Sequence, residues 1–362
     1  MKLSDLINKD NNNLDIFRLI AALMVIYGHA YAISPQEGKS DFILNWIGFD
    51  YSGSLAVKIF FFLSGLVVTN SLMANKSVVK FFISRIFRIW PALIVTLVVS
   101  SFLLGPLITK NNISDYFSSK EVYSYIYNNV LLRTQFSLPG LFSENHNHVV
   151  NGSLWTIPYE VGAYLILISL FMLGVMKSRA FASLLFVLIV VEPLLGNNLI
   201  FTWIPSTNRE ISMLAPCFAF GAMLAIWKDK ITINLYSFLG VWLLFYFFRS
   251  SPVSFYFLYV AVFISIVYLS SIPALVRAKL PFDISYGVYL WAWPVQQMVA
   301  QFFHGQGVLA NQIVSSVIAI ILGVLSWYLV EKKFIRVGAR LGRRLSDKYH
   351  APIQYSQTVK EK

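Results

Sequence analysis

The sequence predicts an all-α, polytopic membrane protein. Three observations carry that expectation. The chain of 362 residues is 57% hydrophobic and 13% charged, about half the charged fraction of a soluble domain, and its mean hydropathy is +0.64. Its apolar residues fall in long runs separated by polar or basic connections. Its lysines and arginines are unevenly divided between alternate connections. In hydrocarbon every backbone N–H and C=O must be satisfied within the segment, so such runs are read as helices.

Ten runs qualify, near residues 15–34, 54–73, 81–105, 153–174, 181–197, 211–228, 231–248, 254–272, 283–303 and 311–331. The fifth is the weakest, being short and containing Glu192-Pro193. An even number of spans puts both termini on one side. That side holds Lys2, Lys9, Lys76, Lys80, Lys177, Arg179, Lys228, Lys230, Arg277, Lys279 and the basic tail. The other side holds only Lys39, Lys110, Lys120, Arg133, Arg209 and Arg249, with Lys58 lying inside a span. The bias predicts both termini in the cytoplasm. The expected organisation is one integral-membrane domain over 1–340, with a long outer loop at 106–152, and a basic, polar cytoplasmic tail over 341–362 that touches anionic lipid. Loops this long usually have a function of their own.

Composition also narrows the function classes. The lone Cys217 lies in an apolar run, which leaves no disulfide framework and no cysteine metal cluster. The net charge of +12 does not point to nucleic acid, because the basic residues sit between hydrophobic spans. His146, His148 and His304 fall in outer loops without a carboxylate or cysteine set, so no metal site is expected. The polar first residues lack a small-residue cleavage site, so no removable signal peptide is expected.

The informative residues are the polar ones inside the runs. Arg18 and His29 are eleven residues apart, so on a helix they share a face about 16 Å apart along the axis. Ionisable groups at such depth face a polar interior and mark a pathway or site; the bland alternative is a snorkelling arginine and a histidine bonded to a neighbouring helix. Asp15, one turn before Arg18, is placed to pair with it. Arg85 and Arg88, three apart, share a face at the inner end of the third run, near the depth of Arg18. Three guanidiniums at one depth suit phosphate oxygens; inner-end arginines also simply obey the positive-inside bias. Glu160, entered through NGSLWTIPYE, is expected at the depth of His29, where a carboxylate would orient the imidazole in an acid–base pair. Ser153, Trp155 and Tyr159 suit an interface belt. Ser64-Gly65 suggests close helix packing. Asp283 is placed as a helix N-cap, and Glu331 to pair with the basic tail. Pro294 predicts a kink beside a cavity in which Gln296 and Gln297 are satisfied.

Taken together, the order Arg18-x10-His29, FFFLSGLVVTNSL, RIFRIWP, NGSLWTIPYE and DISYGVYLWAWPVQQ resembles the integral-membrane acyltransferase 3 family, whose members O-acylate surface and secreted polysaccharides of bacteria. The resemblance runs from the first span to the ninth. It implies an acyl-CoA donor, usually acetyl-CoA, an extracytoplasmic or lipid-linked glycan acceptor, and a multi-pass location in the bacterial inner membrane. It places the family's motifs on Arg18 and His29, on Arg85 and Arg88, and on Ser153 through Glu160. His29 and Glu160 are then the catalytic pair, the three arginines hold the donor phosphates, and Asp15, Ser153 and Trp155 support them. Where many relatives read YLWHWP, this chain has Ala292, so no role carries over there. No fused esterase-like domain is expected beyond the last span. Direct transfer and an acyl-histidine relay both remain open. A lipid or glycan transporter or flippase is the rival class, although no inverted repeats are found; a non-catalytic member of a polysaccharide assembly complex is a third.

Overall fold

A computed structural model of the chain describes residues 1–195, 209–303 and 305–350. Among them there is no strand, only one isolated bridge between Lys2 and Thr232. The last residues of the fifth run, His304 and the tail from 351 lie outside the described residues.

Each of the ten runs carries a helix. In chain order these are α1 (Leu14–Ile33), α2 (Ser52–Asn75), α3 (Val78–Val99), α4 (Ile157–Met172), α5 (Arg179–Val191), α6 (Leu214–Ile226), α7 (Leu235–Phe248), α8 (Ser254–Ser270), α9 (Ser285–Phe302) and α10 (Gly307–Ser326). An additional helix, α11 (Lys332–His350), follows α10 through the π-turn Trp327–Glu331. Five stretches are long and apolar enough to cross a membrane: Leu14–Ile33, Ser52–Asn75, Val78–Ile108, Gly152–Met172 and Gly307–Asp347. The rest fall short in length or hydropathy for identifiable reasons. Helices α6, α7 and α8 are short. Helix α9 carries Gln296 and Gln297, both fully buried by protein, so its polarity is satisfied inside the bundle.

Local chemistry sets the helix ends. The Asn13 side chain accepts from Ile16 N–H and starts α1. Lys76 adopts the left-handed conformation that ends α2, and the Ser77 side chain then caps α3. Ser178 and Asn234 cap α5 and α7 in the same way.

Helix α2 runs through the middle of the bundle, and its tightest neighbour is α6. Gly65 and Gly221 make this possible. A Cβ on Gly65 would lie 2.0 Å from the Phe218 carbonyl oxygen, and one on Gly221 would lie 2.2 Å from that of Phe62. Where lipid is as apolar as the interface, such backbone approach is a main source of helix association. Helix α1 packs on α2, α9 and α10, while α11 packs back along α3. In contrast, α7 has no buried residue and presents Leu235, Leu239 and Leu243 outward.

The connections gather at two ends. At one, Leu3 N–H donates to the Ile231 carbonyl and Asn13 N–H to that of Ser270, and Ser77 bonds Ser346. At the other, the 106–152 segment is a folded cap rather than a loose loop. It contains helices Ile113–Ser118 and Lys120–Val130. Tyr116, Tyr125, Phe142 and Val150 are buried in the common core. Its last part is tied to α9: Asn145 donates to Gln297, and Gln297 donates to the Asn147 carbonyl.

Gly65→Ala is expected to lower stability by about 1–3 kcal/mol, the usual cost of overpacking against unyielding backbone. Gly240→Ala, where a Cβ meets nothing within 4 Å, should be neutral or slightly stabilising. Thermal unfolding of the detergent-solubilised protein measures both.

Candidate active site

A cavity of about 330 Å³ opens between α1, α2, α3, α4, α9 and the first turns of α11. Arg18, Arg85 and Arg88 all line it, as does Glu160. The first-run arginine and the arginine pair of the third run therefore do come together. They are not equivalent, however.

Arg18 donates to Asp15 at 2.8 Å and lies 3.8 Å from Asp283. Arg88 makes two ion pairs at 2.8 Å, to Asp283 and to Glu331, and faces the Tyr286 ring. Asp283 is thus shared by two guanidiniums, and its other oxygen accepts from Ser285 N–H at 3.0 Å. The capping role expected of Asp283 is present, with an ion-pair role added. The expectation for Glu331 is corrected. It pairs with Arg88 rather than the tail, because the π-turn at Trp327–Glu331 accompanies its burial, to 1% exposure, among Ser326 and Arg88. Arg85 has no carboxylate partner among the described residues. It donates to Ser84 and lies against the rings of Phe81 and Tyr164, about 5.8 Å and 5.7 Å from their centroids. Of the three, Arg85 is the one without an ion-pair partner among the described residues.

Glu160 departs from its expected partner. No hydrogen bond joins it to His29. It accepts a short hydrogen bond from Tyr164, whose oxygen also bonds Ser64 at 2.9 Å. The reason is helical spacing: Tyr164 is one turn beyond Glu160 and on the same face, and that face of α4 turns to the cavity. The carboxylate is also an electrostatic neighbour of Arg88, Tyr286 and Tyr289.

His29 sits beyond the opposite end of the cavity. Tyr289 and Thr156 line the cavity there and bond each other at 2.7 Å. One turn farther along α9 is Trp293, whose ring meets His29 edge to face at 4.6 Å and 67°. His29 is 8% exposed, and its buried Nδ1 has no hydrogen-bond partner. A buried imidazole nitrogen without a partner is costly in a finished core and calls for explanation.

The NGSLWT segment shapes this end. Trp293 Nε1 donates to the Val149 carbonyl, and a Cβ on Gly152 would lie 2.6 Å from the Trp293 ring. Only glycine allows that approach. Asn151 donates to the Leu290 carbonyl and accepts from Ser153 N–H. Ser153 and Tyr159 are buried, not in an interface belt, because the segment docks on α9 before α4 begins; Trp155 is half-buried against Tyr159. Ser153 contributes its carbonyl, which accepts from Tyr289. Sequence reasoning missed Tyr164, Tyr286, Tyr289 and Trp293. Only Tyr164 carried a usable signal, its four-residue spacing from Glu160.

Comparison with known proteins now identifies the class. The profile of a family described as an acyltransferase domain matches residues 11–332, and the chain belongs to that family. It is an enzyme that transfers acyl groups. It is 30% identical over 340 residues to an O-acetyl transferase of Shigella phage Sf6, covering 90% of this chain and 96% of that one. A second relative, nodulation protein 10 of Rhizobium leguminosarum bv. viciae, is 31% identical over 169 residues, 43% of each chain. No solved structure matches.

Arg88→Ala is expected to leave Asp283 and Glu331 without their shared counter-charge and to destabilise the protein by about 3–5 kcal/mol, the range for a broken buried pair. Arg85→Ala should change the unfolding temperature little. Melting the two variants side by side checks the division of roles.

Proposed function

We propose that the enzyme is an O-acetyltransferase of the bacterial inner membrane. It takes acetyl from cytoplasmic acetyl-CoA and places it on a hydroxyl of a surface or exported polysaccharide, lipid-linked or growing. The name of the phage relative suggests the group transferred. The carrying observation is geometric: a cavity has the carboxylate-free guanidinium of Arg85 in its wall and, one turn beyond its far end, the partnerless Nδ1 of His29. The enzyme in this reading has ten spans, cytoplasmic termini and a single membrane domain.

In this reading Arg85 meets the anionic phosphates of the donor, and Arg18 and Arg88, locked by Asp15, Asp283 and Glu331, supply the fixed field around them. Arg18 and His29 are about 16 Å apart by helix rise, a gap that a thin pantetheine arm bridges through the cavity. His29 takes the proton of the acceptor hydroxyl as its oxygen attacks the thioester carbonyl. The new C–O bond forms, the C–S bond breaks, and the coenzyme A thiolate leaves with the proton returned from the imidazolium. Glu160 acts on the cavity side, holding Tyr164 against Arg85 and Ser64, and not as the partner of His29. The apolar walls keep water from the thioester.

The test uses inverted membrane vesicles and labelled acetyl-CoA. The wild type should label the membrane's own lipid-linked glycan. His29→Ala should lower transfer about 10²–10⁴-fold, the worth of a general base, with normal protein abundance. Arg85→Ala should raise the KM for acetyl-CoA roughly 10–100-fold with kcat little changed, as expected when a charged hydrogen bond to a bound ligand is lost. Full activity in His29→Ala would sink the mechanism. A wild type that moves no label, in a host whose glycan still depends on the protein, would favour a transporter or flippase.

A further inference from the structure

Lys58 lies inside α2, 3% exposed, and takes no part in the mechanism above. It donates to Asp50 at 3.0 Å and to Glu210 at 2.8 Å, and it forms a short bond to Ser54. Asp50 also accepts from Tyr259 at 2.8 Å, so the group joins the entry to α2 with α8 and the segment leading into α6. A buried ion-pair cluster rarely adds net stability over apolar packing, so its placement needs another reason.

The bonding pattern along the entry to α2 supplies one. Residues 50, 52 and 54 are each tied to a charged group. Asp50 goes to Lys58, Ser52 donates to Asp41 through both its N–H and its hydroxyl, and Ser54 bonds Glu210. The two residues between them, Tyr51 and Gly53, form the surface that meets α1. A Cβ on Gly28 would lie 3.0 Å from the Tyr51 ring and 2.6 Å from Gly53 N. One on Gly53 would lie 2.6 Å from the Tyr51 ring and 3.5 Å from His29 Cδ2. His29 therefore has both the Trp293 ring and Gly53 as near neighbours. Burial, then the Glu210 and Asp50 carboxylates, push the Tyr51 hydroxyl above its ordinary range, which keeps it neutral.

We infer that the Lys58–Asp50–Glu210 cluster is a positioning device that clamps the Asp50–Ser54 segment beneath His29 and so fixes the imidazole in its reactive orientation. Lys58 and its carboxylates touch no reacting atom; they act through Gly53. The inference rests on His29 being the base. Small misplacements of a catalytic group carry large rate penalties, up to about 100-fold per ångström.

The experiment measures kcat and the KM for acetyl-CoA, with labelled acetyl-CoA and the lipid-linked glycan of the host membrane as acceptor. Lys58→Met alone takes the positive charge from between two carboxylates and is prone to misfold. The informative variant is the charge-free triple Asp50→Asn, Lys58→Met, Glu210→Gln, assayed beside Asp50→Asn and His29→Ala. The expected result is a folded triple variant, with its melting temperature near wild type, whose kcat is down about 10–100-fold while the KM for acetyl-CoA stays within about twofold. Asp50→Asn should show the same split more weakly. Wild-type kcat in the folded triple variant would overturn the inference, as would a loss confined to KM or one that merely follows the amount of folded protein. Activity surviving in His29→Ala would instead remove the mechanism on which the inference stands, so the two failures are told apart.

Discussion

A carboxylate shared by two arginines inside an apolar bundle is the constraint on which the site depends. Asp283 lies between Arg18 and Arg88, and Glu331 takes the second fork of Arg88. These contacts join α1, α3, the start of α9 and the π-turn after α10. Guanidinium forks match carboxylate geometry and cannot shed their protons. In a low-dielectric interior, losing any member strands the others. These elements are thereby held at one register, and α1, α3 and the start of α9 line the cavity beside them.

The network also explains how three arginines at one depth avoid mutual repulsion. Arg88 is neutralised by Asp283 and Glu331 from distant stretches of chain, and Arg18 by Asp15 of its own helix with Asp283 beyond it. The third, Arg85, is accommodated by the faces of Phe81 and Tyr164, which tolerate a cation without cancelling its charge. The arrangement leaves one guanidinium without a carboxylate partner among the described residues, in a frame of paired ones. The same economy recurs at the far end, where Lys58 and its carboxylates tie down alternate residues of the chain entering α2 and leave Tyr51 and Gly53 against α1.

Aromatic side chains connect the two ends. Tyr286, Tyr289 and Trp293 stand on successive turns of α9, meeting Arg88, Thr156 and His29 in that order. The outer segment is part of this arrangement. Val149, Gly152 and Ser153 hold Trp293 and Tyr289 in place, so a stretch that crosses no apolar core by itself shapes the surroundings of His29. Membership of the acyltransferase family is consistent with a bundle in which one helix carries a cationic end and an imidazole end on the same face.

The sequence by itself determined the helices and the candidates. Long apolar runs in a chain of low charge admit only helices in lipid, and the eleven-residue spacing of Arg18 and His29 follows from helical period alone. Asp15 with Arg18, and Gly65 as a point of close packing, were legible for the same local reasons. The tertiary structure alone decided which arginine is left without a carboxylate beside it. Arg88 meets Asp283 and Glu331 from 195 and 243 residues away, and no pattern within a helix encodes such partners. It also decided that Glu160 turns to Tyr164 and the cavity while His29 turns to Trp293. Depth along a helix can be counted from sequence, but the direction a face points depends on how neighbouring helices are rotated. That rotation is set by long-range packing, at contacts such as Gly65 against Gly221 and Gly152 against Trp293, where two distant stretches of chain must fit together at once.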